Sequence, residues 1–145
     1  MSPQVDKNYV DTGKVRFIYR PVAFLGQDSA NSAEAAYCAS DQNKFWPMHD
    51  ALFANAGSES ASTFGKDALK RIAKDAGLDT TAFNACMDSG KFTAQVNSDT
   101  QSIANSGVQS VPSFLINGRK VSLQGTDAAS ITKNFLAQLD AELAK

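Results

Sequence analysis

Few side chains in this sequence can exchange electrons, hold a metal or move a proton near neutral pH. They are two cysteines, Cys38 and Cys86, and one histidine, His49. Thiolates are the nucleophiles of disulfide exchange and are also soft metal ligands. The two cysteines stand far apart in sequence, so they cannot form a Cys-x-x-Cys pair within this chain. With a single histidine, a zinc site built from Cys and His is not expected either. No other motif implies a metal or a cofactor. His49 sits in an aromatic stretch with Phe45, Trp46 and Phe53, where a lone histidine packs or caps more often than it ligates. The three aromatic residues read as core rather than as a binding cage. Lys66, Lys70, Arg71 and Lys74 read as the solvated face of a helix. Taken alone, Cys38 and Cys86 are two small buried apolar residues, and Pro112 merely starts a strand.

The bulk properties narrow the partners. The chain has 145 residues, 43% of them apolar and 20% charged, with a formal net charge of −1. That is the size of one ordinary domain with enough apolar material for a core. A balance so close to neutral makes neither nucleic acid nor an anionic membrane an expected partner. No apolar run approaches the ~18 residues that a membrane span needs. Met1-Ser2-Pro3-Gln4 is polar and lacks the apolar stretch of a secretory signal. A cytosolic chain, a processed one and a piece of something longer all remain open.

The elements that must position these residues follow from periodicity. Ser2-Pro3 reads as a helix start, with Ser2 as N-cap and Pro3 at the first helical position. Val5 and Tyr9 share a face, and Asp11-Thr12-Gly13 ends the helix. Residues 15–19 (VRFIY) are β-branched and aromatic and predict a strand buried on both faces, closed by Pro21. From Asn31 to about Asn55 the pattern is helical, with Asn31 and Glu34 placed as a capping box. Pro47 fits a first turn, so a fresh helix is expected near Asn43. Residues 57–62 read as a small-residue loop. Further helices are expected over 64–76 (closed by Gly77), from an Asp79 cap through Met87, and through Phe92, Val96 and Ile103 to Gly107. Phe114, Leu115 and Ile116 predict a short strand. Asn117-Gly118 predicts a hairpin turn, with Val121 and Leu123 on the return strand. Ile131, Phe135, Leu139 and Leu143 mark a final amphipathic helix. Strands near both ends with helices between them give an α/β fold class, one sheet whose crossover holds a helical insertion.

Three stretches carry a family resemblance. They are Tyr9-Val10-Asp11-Thr12-Gly13-Lys14-Val15-Arg16-Phe17; Ala35-Ala36-Tyr37-Cys38-Ala39 together with Lys44-Phe45-Trp46-Pro47-Met48-His49-Asp50-Ala51-Leu52-Phe53; and Gly107-Val108-Gln109-Ser110-Val111-Pro112-Ser113-Phe114-Leu115-Ile116-Asn117-Gly118. In order and over nearly the whole chain, they resemble the DsbA-like thioredoxin-fold family of thiol–disulfide oxidoreductases. The resemblance implies a thioredoxin-like fold with a helical insertion: residues 1–28 and 91–145 as the thioredoxin-like parts, and 29–90 as the insertion. It implies a cis Val111–Pro112 bond, with Gln109, Ser110, Val111 and Pro112 facing extended polypeptide substrates. Some relatives carry a non-catalytic bridge in a comparable place. A structural disulfide between Cys38 and Cys86 is therefore a reading beside that of two buried thiols. A redox partner protein is implied as well, and a full-length member is expected outside the cytoplasm.

The sequence departs from the family where its chemistry lies. Active members carry the Cys-x-x-Cys at the start of the first core helix, and the resemblance puts that pair and the first core strand upstream of Met1. In the thioredoxin arrangement this strand is central, between residues 15–19 and residues 113–116. Its absence leaves backbone groups unpaired, at roughly 1–3 kcal/mol for each one that is buried. The flanking strands could pair directly, a strand from another chain could fill the slot in a strand-swapped homo-oligomer, or the natural protein is longer. The expected function is thus a DsbA-family oxidoreductase domain acting on protein thiols and disulfides, inactive as this chain. The alternative is a redox-silent peptide-binding module.

Overall fold

Two sets of apolar faces each close on a core of their own. The computed structural model describes residues 3–56 and 64–145. The expected Ser2 cap and the loop expected at 57–62 lie outside these residues. The chain divides into two compact units, Met1–Tyr19 with Val108–Lys145, and Arg20–Gly107.

The second unit is helical: α2 (Gln27–Ser40), α3 (Phe45–Ala54), α4 (Lys66–Asp75), α5 (Thr80–Ser89) and α6 (Thr93–Asn105). Its core joins Ala35, Cys38 and Ala39 of α2 to Met48, Leu69, Ile72, Ala73, Leu78, Phe83, Cys86 and Met87. Alanines on α2 let the neighbouring helices approach closely, and Phe83, Met48, Leu69 and Met87 fill the space without solvent contact. The Asp79 carboxylate caps α5 as expected, accepting from the N–H groups of Thr81 and Ala82 at 2.8 and 3.1 Å. Gly90 ends α5 with φ 65°, in the left-handed region that favours glycine.

The expected capping box at Asn31 and Glu34 is not formed. Helix α2 begins at Gln27, so both residues lie inside it, and both are buried. Buried polar groups require partners, and these two find them on other segments. The Asn31 amide donates to the Phe64 carbonyl at 3.2 Å and accepts from Gln27 at 2.9 Å. Glu34 Oε1 accepts from the Phe92 N–H at 3.3 Å and from Thr93 Oγ1 at 3.1 Å. Phe92 is the N-cap residue of α6. Glu34 is therefore a capping residue, but for a helix 58 positions away rather than its own.

Next to this cap, Tyr37 stacks on Phe92 with ring centroids 5.5 Å apart. The Tyr37 hydroxyl donates to Asp99 Oδ2, and Gln95 donates to Oδ1 at 2.9 Å. Burial, then the Asp99 hydrogen bond, push the Tyr37 phenol up to about 12. The hydrogen bonds from Tyr37 and Gln95 hold Asp99 below the ordinary aspartate value.

The first unit holds α1 (Pro3–Val5), which continues as a π-helical turn (Asp6–Val10), then β1 (Phe114–Ile116), β2 (Arg119–Val121) and α7 (Ala128–Leu143). Val5, Tyr9 and Leu139 form its small core, with Val10, Val15, Ile116, Phe135 and Leu136 packed around it. The Tyr9 hydroxyl donates to Asp140 at 2.7 Å, tying the π-helical turn to α7. Asp127 and Ser130 form a capping box at the start of α7. On the expected apolar face of α7, Leu139 is buried, Ile131 and Phe135 are half-buried and Leu143 is exposed. Asn117 and Gly118 turn the hairpin with φ 50° and 78°, the positive pair that matches the twist of two antiparallel strands.

Residues 15–19 do not form the expected strand. They belong to no helix or ladder, and the sheet of the described residues has two strands, β1 and β2. Residues 15–19 are not buried on both faces either. Val15 and Phe17 are half-buried, while Arg16 and Ile18 are exposed. β propensity describes how well a segment fits a pleated surface, but a ladder also needs a neighbour. Direct pairing of this segment with β1 is likewise not observed.

Two outcomes test these contacts. Replacing Glu34 with Ala should destabilise the fold by about 1–2 kcal/mol, because it uncaps α6 inside the protein. Glu34→Gln, which keeps an acceptor oxygen, should lose less. Equal urea midpoints for all three proteins would show that the cap does nothing. Removing the Tyr37 hydroxyl (Tyr37→Phe) should move the Asp99 carboxyl up towards its ordinary value in an NMR titration. Because the folded value is depressed, the interaction stabilises above the unfolded aspartate range. It is lost as pH falls through the folded value. The variant should therefore show a flatter acid limb of stability.

Candidate functional site

The segment between α6 and β1 exposes four consecutive residues between anchored ends. Gly107 ends α6 with φ 84°. Val108 is buried, while Gln109, Ser110, Val111 and Pro112 are exposed, Val111 to 47%. Ser113 Oγ donates back to the Ser110 carbonyl at 2.6 Å. Phe114 packs on Phe135 of α7 with centroids 5.4 Å apart. The Val111–Pro112 peptide bond is cis. The loop is thus held at both ends, with main-chain and apolar side-chain surface open in its middle. Such surface suits an extended polypeptide, which supplies backbone groups and alternate side chains.

Cys38 and Cys86 are joined in a disulfide, with S–S 2.01 Å and Cα atoms 5.9 Å apart across 48 residues of sequence. No free cysteine remains. The bridge links α2 to α5 inside the helical unit. Cys38 is 1% exposed and Cys86 9%. Both lie in the last turns of their helices. A helix C-terminus carries partial negative charge and so disfavours a thiolate, the opposite of the helix N-terminus that activates a catalytic cysteine. A shallow cleft of about 360 Å³ reaches the bridge, bordered by Gln42, Ser89 and the Asp41–Lys91 ion pair. A covalent link across 48 residues of sequence clamps α2 to α5.

His49 packs in the aromatic face of α3, its ring 5.2 Å from Trp46 and 4.8 Å from Phe53. Its Nδ1 lies 2.9 Å from Asp50. Trp46 and Phe53 are exposed rather than in the core. The ten-residue helix α3 turns Met48 inward and leaves positions 46 and 53 on its outer face. The basic face of α4 is not wholly solvated either. Lys66 donates to the Met87 carbonyl at 2.6 Å, and Lys70 pairs with Asp88 at 2.6 Å, tying α4 to α5. Glu34, Tyr37 and Asp99 were missed as a polar node. An acidic residue inside an alanine-rich run was the available signal.

Comparison with known proteins places these features in a family. The thioredoxin family model matches residues 1–141. A probable disulfide bond formation protein D of Bacillus cereus is 28% identical over 99% of this chain and 65% of its own length. A putative protein-disulfide oxidoreductase of Rickettsia felis is 26% identical over 99% of this chain and 51% of its own length. This chain therefore spans between half and two thirds of these relatives. Among solved structures, oxidised BdbD from Bacillus subtilis superposes with a TM-score of 0.84 at 22% identity, covering 100% of this chain and 77% of that one. The α/β thioredoxin-like fold expected from the sequence is the observed one.

Replacing Cys38 and Cys86 together with Ser should lower unfolding stability by about 4 kcal/mol, the chain-entropy value for a loop of this size. That is a large share of the ~5–15 kcal/mol that holds an ordinary domain. Urea unfolding in the absence of reductant measures it. A double variant as stable as the parent would remove the clamp.

Proposed function

This chain belongs to the thioredoxin family, and from that premise we propose that it is a thiol–disulfide oxidoreductase domain acting on protein thiols and disulfides. Gln109, Ser110, Val111 and Pro112 receive the client as an extended segment. The observation that carries this reading is the open loop at Val111 and Pro112, held by a buried Val108 on one side and Phe114 on the other. Relatives named for disulfide formation and protein-disulfide oxidoreduction support the client class. In this reading residues 29–90 are the helical insertion between thioredoxin-like parts 1–28 and 91–145.

Disulfide exchange needs a thiolate that attacks one sulfur of a disulfide, forms a mixed disulfide and expels the other sulfur as thiolate. The two sulfurs of this chain are bonded to each other. The chain taken alone supplies client docking and does not turn over. The bridge fits an oxidising compartment, so we place the working protein outside the cytoplasm, recharged by a redox partner protein. No helix of the described residues is long and apolar enough to cross a membrane.

The same loop favours a second reading, a redox-silent peptide-binding module. Two measurements decide. In an insulin-reduction assay the chain should show no turnover, and measurable turnover would show that Cys38 and Cys86 exchange. In a titration with carboxymethylated insulin B chain, an unfolded peptide without free thiols, Val111→Asp should weaken binding about tenfold, about 1.4 kcal/mol. Equal affinities of the variant and the parent would remove the loop from client docking under both readings.

A further inference from the structure

The two helices that carry the bridge also carry a pair of opposite charges beside it. Asp41 is the C-cap residue of α2, one turn beyond Cys38. Lys91 follows Gly90, the C-cap residue of α5, and its N–H donates to the Cys86 carbonyl at 3.3 Å. The two side chains form an ion pair, and the Lys91 ammonium also lies 5.1 Å from the centroid of the Phe92 ring. Joining α2 to α5 through Cys38 and Cys86 therefore sets a carboxylate and an ammonium at the edge of the cleft that reaches the bridge.

The cleft has the size and lining of a small-molecule site. Its volume of about 360 Å³ lies at the lower end of the ~300–1,000 Å³ that such sites span. Ala82 and Ala85 give it an apolar wall. Two of its polar side chains are already engaged. Gln42 donates to the Asp79 carbonyl at 3.1 Å and accepts from the Asp79 N–H at 2.9 Å, and Ser89 donates to the Cys86 carbonyl at 3.0 Å. Asp41 and Lys91 are half exposed, and an exposed ion pair is weak enough to open for a ligand. A ligand with both charges replaces that one pair by two: its carboxylate takes Lys91 and its ammonium takes Asp41. Access to the sulfurs is unequal. Cys86 is 9% exposed, whereas Cys38 is 1% exposed and packs in the core. An attacking sulfur approaches along the S–S axis, so attack from the cleft falls on Cys86 and Cys38 is the leaving group.

We propose that this cleft is a modification site at which a small zwitterionic thiol, of the type of free cysteine, attaches to Cys86 and opens the clamp between α2 and α5. Lys91 holds the carboxylate of the incoming thiol, Asp41 holds its ammonium, and the alanine wall takes its methylene. The cysteine thiolate attacks Sγ of Cys86 and forms a new S–S bond. The Cys38–Cys86 bond breaks, its electron pair stays on Cys38 Sγ, and that thiolate takes a proton from water. One disulfide is exchanged for another, so the step consumes no separate oxidant or reductant. The size of the cleft suits a free amino acid rather than an extended polypeptide. The site is therefore independent of client docking, which uses Gln109, Ser110, Val111 and Pro112.

The test treats the folded, oxidised chain with excess cysteine, quenches in acid and maps the products by mass spectrometry. A one-cysteine adduct on Cys86, with Cys38 as a thiol, is expected. The bridge should open about tenfold faster with cysteine than with cysteamine, which lacks the carboxylate, or with 3-mercaptopropionate, which lacks the ammonium, at equal thiolate concentration. Glutathione, whose charges lie further from its sulfur, should also be slower, which separates the free amino acid from a thiol tripeptide as the source. In the double variant Asp41→Asn, Lys91→Met the advantage of cysteine should vanish, while the uncharged thiol dithiothreitol should open the bridge at the parent's rate. A bridge that stays closed in excess cysteine, equal rates for all these thiols, cysteine attached to Cys38, or an advantage that survives in the double variant would each overturn the site. A dithiothreitol rate that changes in the variant as much as the cysteine rate would show that the ion pair acts on the clamp rather than on the ligand, and would overturn it too.

Discussion

Helix α2 is the element from which the helical unit takes its geometry, and one of its faces does most of the work. Glu34 and Cys38 lie four residues apart, on the same side of the helix. Glu34 accepts from the backbone N–H of the α6 N-cap residue Phe92, and Cys38 is covalently joined to α5. The alanines beside them leave room for both neighbours to approach. A carboxyl group and a sulfur, one turn apart, thus set where α6 begins and where the last turn of α5 is held. The hydrogen bond contributes direction, and the covalent link restricts the unfolded chain. The aromatic and aliphatic residues of α4 and α5 then fill a space whose outline is already set.

Local chemistry was legible in the sequence wherever one residue decides its own surroundings. Asp79 and Gly90 bound α5, and Asn117-Gly118 turns the hairpin, because these side chains act on backbone within a few positions. Glu34 was misread for the converse reason. Its spacing from Asn31 matches a capping box, but its partner lies 58 positions away, beyond the reach of a spacing rule. Residues 15–19 differ from expectation because composition reports what a segment can pair with, whereas the sheet of the described residues is built from β1 and β2. The aromatic face of α3 shows the limit of apolarity as a burial signal: Met48 is inside, and its neighbour Trp46 is not.

The candidate site was legible to different depths. The loop at Val111 and Pro112 stood out through its order of residues, which belongs to a family more than to any physical periodicity. The cysteine pair was visible only as two open alternatives. Neither sulfur position nor helix direction can be read from residues 48 apart. The structure supplies the missing physical detail, which is that the two sulfurs are bonded to each other and join α2 to α5.

The covalent tie between Cys38 and Cys86 also changes the chain's topology. Residues 38–86 become a closed ring carrying two linear arms, and α3 and α4 lie entirely within that ring. A single backbone break anywhere in the ring converts it to a branched molecule without releasing a fragment. The connection between α3 and α4 can therefore be opened or lengthened while both arms stay tethered at one point, so peptide continuity there is not what keeps α2 and α5 together.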